Sequence, residues 1–111
     1  MAKRERKLTV LLTPRAKSDL ARIWTWNADR SNDRVADLYV EFLLSQIWQL
    51  AEIETQNQKV PGRETLSFVI AKKSKRRNAH GHVIVFRIVE KELQVLHFFH
   101  TAQDWQNHID E

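Results

Sequence analysis

The chain has 111 residues, room for one modest hydrophobic core, so a two-domain enzyme is excluded. Hydrophobic residues make up 42% and charged residues 29%, the balance of a compact folded protein, and the lack of cysteine excludes a disulfide scaffold, a thiol nucleophile and a cysteine-based zinc site. The formal net charge of +4 is local: Lys72, Lys73, Lys75, Arg76 and Arg77 carry five positive charges in one short stretch, so the remaining chain sums to −1, and within it Lys3, Arg4, Arg6 and Lys7 against Glu5 add +3 near the start.

Residues 1–7 form a basic arm with no apolar pattern, expected to be flexible. The apolar run Leu8 to Leu12 is rich in strand formers and ends at Thr13-Pro14, far short of a signal peptide. No later apolar cluster approaches a membrane span, so a soluble cytoplasmic protein with no membrane partner is expected. Thr13 is a good helix N-cap and Pro14 suits the first helical position, so strand one hands over to helix one. In that helix Ala16, Leu20, Ile23 and Trp24 follow helical spacing, with Arg15, Lys17, Asp19 and Arg22 on the opposite face.

The polar run Asn27 to Asp33 breaks the pattern, and Ser31, Asn32 or Asp33 caps a second helix that ends near Glu54, making a helical hairpin. Val35, Tyr39, Phe42, Leu43, Leu50 and Ile53 form one apolar stripe, and Val40, Leu44 and Trp48 form another about a third of a turn away. Either the two stripes face the sheet and helix one, or part of the second is exposed and receives a partner.

Gln56 to Arg63, with Pro61-Gly62, reads as a turn region. Leu66, Phe68 and Ile70 then alternate as a strand, followed by the basic loop and by strands at His82 to Val89 and Leu93 to Phe99, joined by a turn at Glu90-Lys91-Glu92. Thr101-x-x-Asp104 has capping-box spacing for a short last helix from Thr101, which lets Trp105 tuck back. The order β-α-α-β-β-β-α gives an α+β fold, a helical hairpin packed on a small, mainly antiparallel twisted sheet, in a single domain over residues 1–111.

Five histidines invite a search for chemistry. His97 and His100 point to opposite faces of an extended strand, while His80 and His82 share a face. With no HExxH motif and no carboxylate pair, no metal site and no cofactor are expected. Asp104 either caps the last helix or pairs with His100. Arg87, amid Val85, Phe86, Ile88 and Val89, either ties down the sheet surface through a carboxylate or carbonyl, or anchors a partner's carboxylate.

Two runs carry a family resemblance. Leu12-Thr13-Pro14-Arg15-Ala16 with Asp19-Leu20 comes first; Gly81 to Ile88, then Leu93 to Leu96, then His100 and Asp104, comes second. From about Leu8 to Trp105 the chain resembles the RelE/ParE superfamily of type II toxin-antitoxin toxins, and the second run resembles its ParE branch, with Phe86 where that branch often has Tyr. The resemblance implies a ParE-like toxin that poisons DNA gyrase by stoichiometric binding, with no catalytic residue and no small-molecule substrate, neutralised by a ParD-like antitoxin. RelE-like members instead cleave messenger RNA on the ribosome, with an arginine after the aromatic that opens strand three and another after strand four. Those positions hold Val83 and Thr101-Ala102-Gln103, and Arg87 lies about 13 Å further along the strand.

On this resemblance, an ordering antitoxin segment is expected near Trp24, Trp26, Val40, Leu44 and Trp48, with Arg87 as an anchor, and target contacts at Lys72, Lys73, Lys75, Arg76, Arg77, His100, Asp104 and Trp105. The basic loop fits gyrase or its DNA, ribosomal RNA, or an acidic antitoxin, besides simple solvation. The alternatives are a RelE-like endoribonuclease and a non-toxic binding module of the same fold.

Overall fold

The computed structural model describes residues 4–5, 7–54, 57–74, 76 and 80–109. Its elements are β1 (Arg4–Glu5), β2 (Thr9–Leu12), α1 (Pro14–Arg30), α2 (Asp33–Glu52), β3 (Ile53–Glu54), β4 (Gln58–Val60), β5 (Arg63–Ala71), β6 (His82–Val89), β7 (Glu92–His100) and a 3-10 helix at Trp105–His108. A five-stranded sheet has the order β2-β7-β6-β5-β4, in which β2 and β7 run parallel and the other pairs antiparallel. Two residues of the N-terminal arm, Arg4–Glu5, pair with β3 as a separate two-stranded ribbon.

Helix α1 begins as the sequence indicates: the Thr13 hydroxyl accepts the Ala16 N–H, and Pro14 occupies the first turn. It runs further than its apolar pattern, through Asn27 to Arg30, because the Asn27 amide donates to the Ile23 carbonyl and keeps a polar turn helical. Asn32, one of the three expected caps, accepts the Val35 N–H and starts α2.

Both faces of the sheet are covered. On one, Leu43, Ile47 and Leu50 of α2 and Ala16 and Leu20 of α1 pack against Ile84, Phe86, Leu93, Val95 and Phe98. On the other, Leu66, Phe68, Val83, Val85, Leu96 and Phe99 are roofed by Ile109 and Trp105, whose ring centre is 4.8 Å from that of Phe68. Trp105 therefore tucks back as expected, although the last helix differs. It starts at Trp105 and not at Thr101, and Asp104 makes no side-chain cap. Thr101 is engaged elsewhere, holding Gly81 by its backbone N–H and its hydroxyl.

The region read as a turn, Gln56 to Arg63, contains the edge strand β4. The turn itself is only Pro61-Gly62, where Gly62 has φ of +76° between the paired Val60 and Arg63. Proline followed by a residue of positive φ is the requirement of a tight type II turn. A register shift between Val85 and Phe86 lets β7 send Val95 and Phe98 to the helix side and Leu96 and Phe99 to the other.

Candidate functional site

Strand β2 pairs with β7 only as far as Leu12 opposite Val95, so the rest of that edge of β7 needs other partners. The start of α1 supplies them. The Thr13 hydroxyl donates to the Val95 and Leu96 carbonyls, and the Asp19 carboxylate accepts the Phe98 N–H at 3.1 Å. Asp19, which the sequence pattern places on the polar face, is buried. Arg15 pairs with it at 3.3 Å, Arg22 pairs with it from one turn on, and His97 Nδ1 lies 3.5 Å away. His97 is fully buried and stacks on Phe99.

Beyond Asp19 the helix and the sheet part to leave a cleft of about 550 Å³. One wall is α1, with Arg22, Ile23 and Trp26; the other carries His80, His82 and His100. His82 and His100 are cross-strand neighbours in β6 and β7, with ring centres 5.5 Å apart, and His80 lies 5.1 Å from His100. The double link between Gly81 and Thr101 fixes this cluster. Gly81 has no room for a side chain, since a Cβ there would fall on the Ala71 carbonyl and on the stem of Lys72.

The Tyr39 hydroxyl reaches from α2 to within 2.5 Å of His82 Nδ1. Burial, with His100 beside it, pushes His82 down to about 4, and burial pushes the Tyr39 hydroxyl up to about 12. Burial, then His80, also lowers His100. His100 Nδ1 accepts the Ala102 N–H, which puts the proton of the neutral ring on Nε2. Near pH 7 the neutral forms of His82 and His100 are thus favoured. Among the described residues no three His, Asp or Glu side chains are placed to hold a metal ion.

The residues near which an antitoxin segment is expected lie in different environments. Trp24 is half-buried and donates to Asp37 at 2.8 Å, cross-linking the two helices. Trp26, two positions on and so about 200° around the helix, lines the cleft and is 57% exposed, with the Arg30 guanidinium over its ring. Trp48 is 54% exposed, while Val40 and Leu44 pack partly buried against the core. Arg87 donates to Gln94 at 2.6 Å, and Gln94 in turn to Glu92; strand alternation puts Arg87 on the same sheet face as Val85, away from the helices.

Of the basic loop, Lys72, Lys73 and Arg76 are exposed, while Lys75 and Arg77 lie outside the described residues. Asp104 accepts from Asn107, and His100 bonds to Ala102 and Gln103. His100 and Trp105 thus belong to opposite faces, one in the cleft and one under the other core. Sequence reasoning did not assemble Asp19, Tyr39 and His82 into a site. The spacing of His82 and His100 about the Glu90 turn was the one available signal, and it needed the strand register to be read.

A helical hairpin laid on a five-stranded sheet, with a parallel edge strand leading into α1 and a cleft at the β6–β7 end, defines an α+β protein. The sequence matches the family described as ParE toxin of type II toxin-antitoxin system, parDE, over residues 10–105, and the chain belongs to that family. A solved structure titled "Chromosomal ParDE TA system from P. aeruginosa" shares the fold, with a TM-score of 0.64 at 17% identity over 83% of this chain and 94% of the other. No curated protein matches the chain in sequence.

Proposed function

We propose that this ParE-family protein inhibits DNA gyrase by stoichiometric binding and is neutralised by a ParD-like antitoxin. The family match over residues 10–105 carries the proposal, and the local chemistry supports it. Cleavage through a ribose 2′-hydroxyl calls for cations on the developing phosphorane charge. The two positions where RelE-like toxins carry arginine offer none: Val83 is 1% exposed in the core under Trp105, and Thr101 is tied to Gly81.

Binding without turnover needs anchors. Trp48 and Trp26 are large, exposed and apolar, the residue type that dominates interface energetics. Lys72, Lys73 and Arg76 steer encounter with an acidic partner or a DNA-bound complex. The test is a supercoiling assay with purified gyrase beside an in vitro translation and primer-extension assay. Loss of supercoiling with intact transcripts is expected; site-specific transcript cleavage contradicts the proposal, and silence in both assigns an inert binding module.

A further inference from the structure

We propose that the cleft between α1 and the β6–β7 end of the sheet binds a phosphate ester of nucleotide size. The space, about 550 Å³, falls in the range of pockets that enclose such ligands. Its two walls present complementary chemistry. His80, His82 and His100 bring imidazole N–H groups from the sheet, and Arg22, which pairs with Asp19 through one nitrogen, brings the remaining N–H groups of its guanidinium from the helix. A phosphate carries more acceptor oxygens than a carboxylate and is bound best by several N–H donors on different sides.

The apolar part of the cleft suits the rest of the ligand. Trp26 stands at the rim and is 57% exposed; Arg30 covers one face of its ring, 4.2 Å from the centre, and a base can stack on the other as on nucleic-acid platforms. The basic loop leaves the sheet at the same end: Ala71 pairs with His82, and the stem of Lys72 lies beside Gly81. Lys72 thus adds a positive charge beside the cleft, which favours an anion over a neutral ligand of the same shape.

The crowding of the rings gives the site a signature. His82 is faced by Tyr39 from α2 and by His100 from β7; His100 by His80; and the helix wall adds Arg15, Asp19 and Arg22. Without an anion, burial and mutual repulsion keep His82 and His100 neutral near pH 7. A phosphate among them favours the imidazolium form, so binding takes up protons and tightens as the pH falls.

This inference does not depend on gyrase being the target, and its test reads binding alone. Adenosine 5′-monophosphate, inorganic phosphate, adenosine and the phosphodiester dinucleotide ApA are titrated into the full chain by calorimetry, with histidine NMR shifts followed in parallel. Saturable binding of the monophosphate or of ApA is expected, with adenosine weaker by about tenfold or more. Inorganic phosphate competes, and affinity rises from about pH 7.5 to about pH 6. Tighter binding of ApA assigns a nucleic-acid backbone as the source, and tighter binding of the monophosphate a free nucleotide. R22Q and H100Q each weaken binding by about fivefold or more; Arg22 lies on an exposed helix face, and glutamine at 100 keeps an acceptor for the Ala102 N–H. Failure of both phosphates to saturate at millimolar concentration, or adenosine binding as tightly, overturns the site.

Discussion

The Asp19 carboxylate accepts the backbone N–H of Phe98 at 3.1 Å, and this bond closes the edge of β7 where β2 has left it. The arginines on the same carboxylate are largely exposed, at 48% and 64%, so each contributes little to stability. The bond to Phe98 is the costly one to lose, since a buried N–H would be left without its acceptor. Asp19→Ala is expected to cost about 2–4 kcal/mol in urea unfolding, and Asp19→Asn, which keeps an acceptor, about 1 kcal/mol. Equal losses in the two variants would contradict this account.

Burial holds His82 at about 4 in the folded protein, against 6.5 for an ordinary histidine. The unfolded chain takes up this proton first as the pH falls, so the stability that a neutral His82 contributes is complete above about pH 6.5 and is lost between there and about pH 4. The ring is only partly buried, so the loss is about 1–2 kcal/mol, below the full linkage value. Tyr39→Phe removes the hydroxyl at His82 Nδ1. It is expected to cost about 1 kcal/mol at neutral pH and to flatten the acid limb. Thermal melts of wild type and variant from pH 7.5 to 4 measure both effects; parallel curves would show that the hydroxyl does not tune His82.

The two glycines differ in what a side chain would meet. At Gly62 a Cβ meets nothing, so Gly62→Ala costs only the strain of positive φ, about 1 kcal/mol. At Gly81 the same change drives a methyl into the Ala71 carbonyl, between β5 and the histidine cluster. Gly81→Ala is expected to cost about 3 kcal/mol or more and to shift the histidine NMR signals. Similar melting temperatures for the two variants would contradict the close packing at Gly81.

Trp24 and Trp48 separate stability from recognition. Trp24→Ala removes the bond to Asp37 that joins the helices and is expected to lower stability by about 2 kcal/mol. Trp48→Ala, at an exposed site on α2, leaves the melting temperature nearly unchanged. On the proposed function it weakens antitoxin binding by about 30-fold. Calorimetric titration of the antitoxin into each variant checks this, and unchanged affinity for Trp48→Ala would remove it from the interface.

The elements that were legible in the sequence are those with local causes. Thr13-Pro14 starts α1, Asn32 starts α2, and alternating residues mark β5 to β7. What escaped has non-local causes. Asp19 reads as surface by helical periodicity, and only the missing partner for β7 explains its burial. The turn expected at Glu90-Lys91-Glu92, by contrast, is present, and it forms without a glycine, Glu90 itself taking φ of +56°. Thr101 looked like a cap by spacing but is held by Gly81, a contact across β6 and β7 that no local pattern encodes. Trp24 and Trp26 differ in environment for a simpler reason: they are two residues apart on one helix and cannot share a face.

The gyrase proposal is tested most directly by titrating the purified protein against a fixed amount of gyrase and following supercoiling. Stoichiometric binding predicts inhibition that saturates at a fixed molar ratio, does not grow with incubation time, and is reversed by an equimolar amount of a cognate ParD-like antitoxin. Full supercoiling in the presence of a several-fold molar excess of folded protein would contradict the central claim.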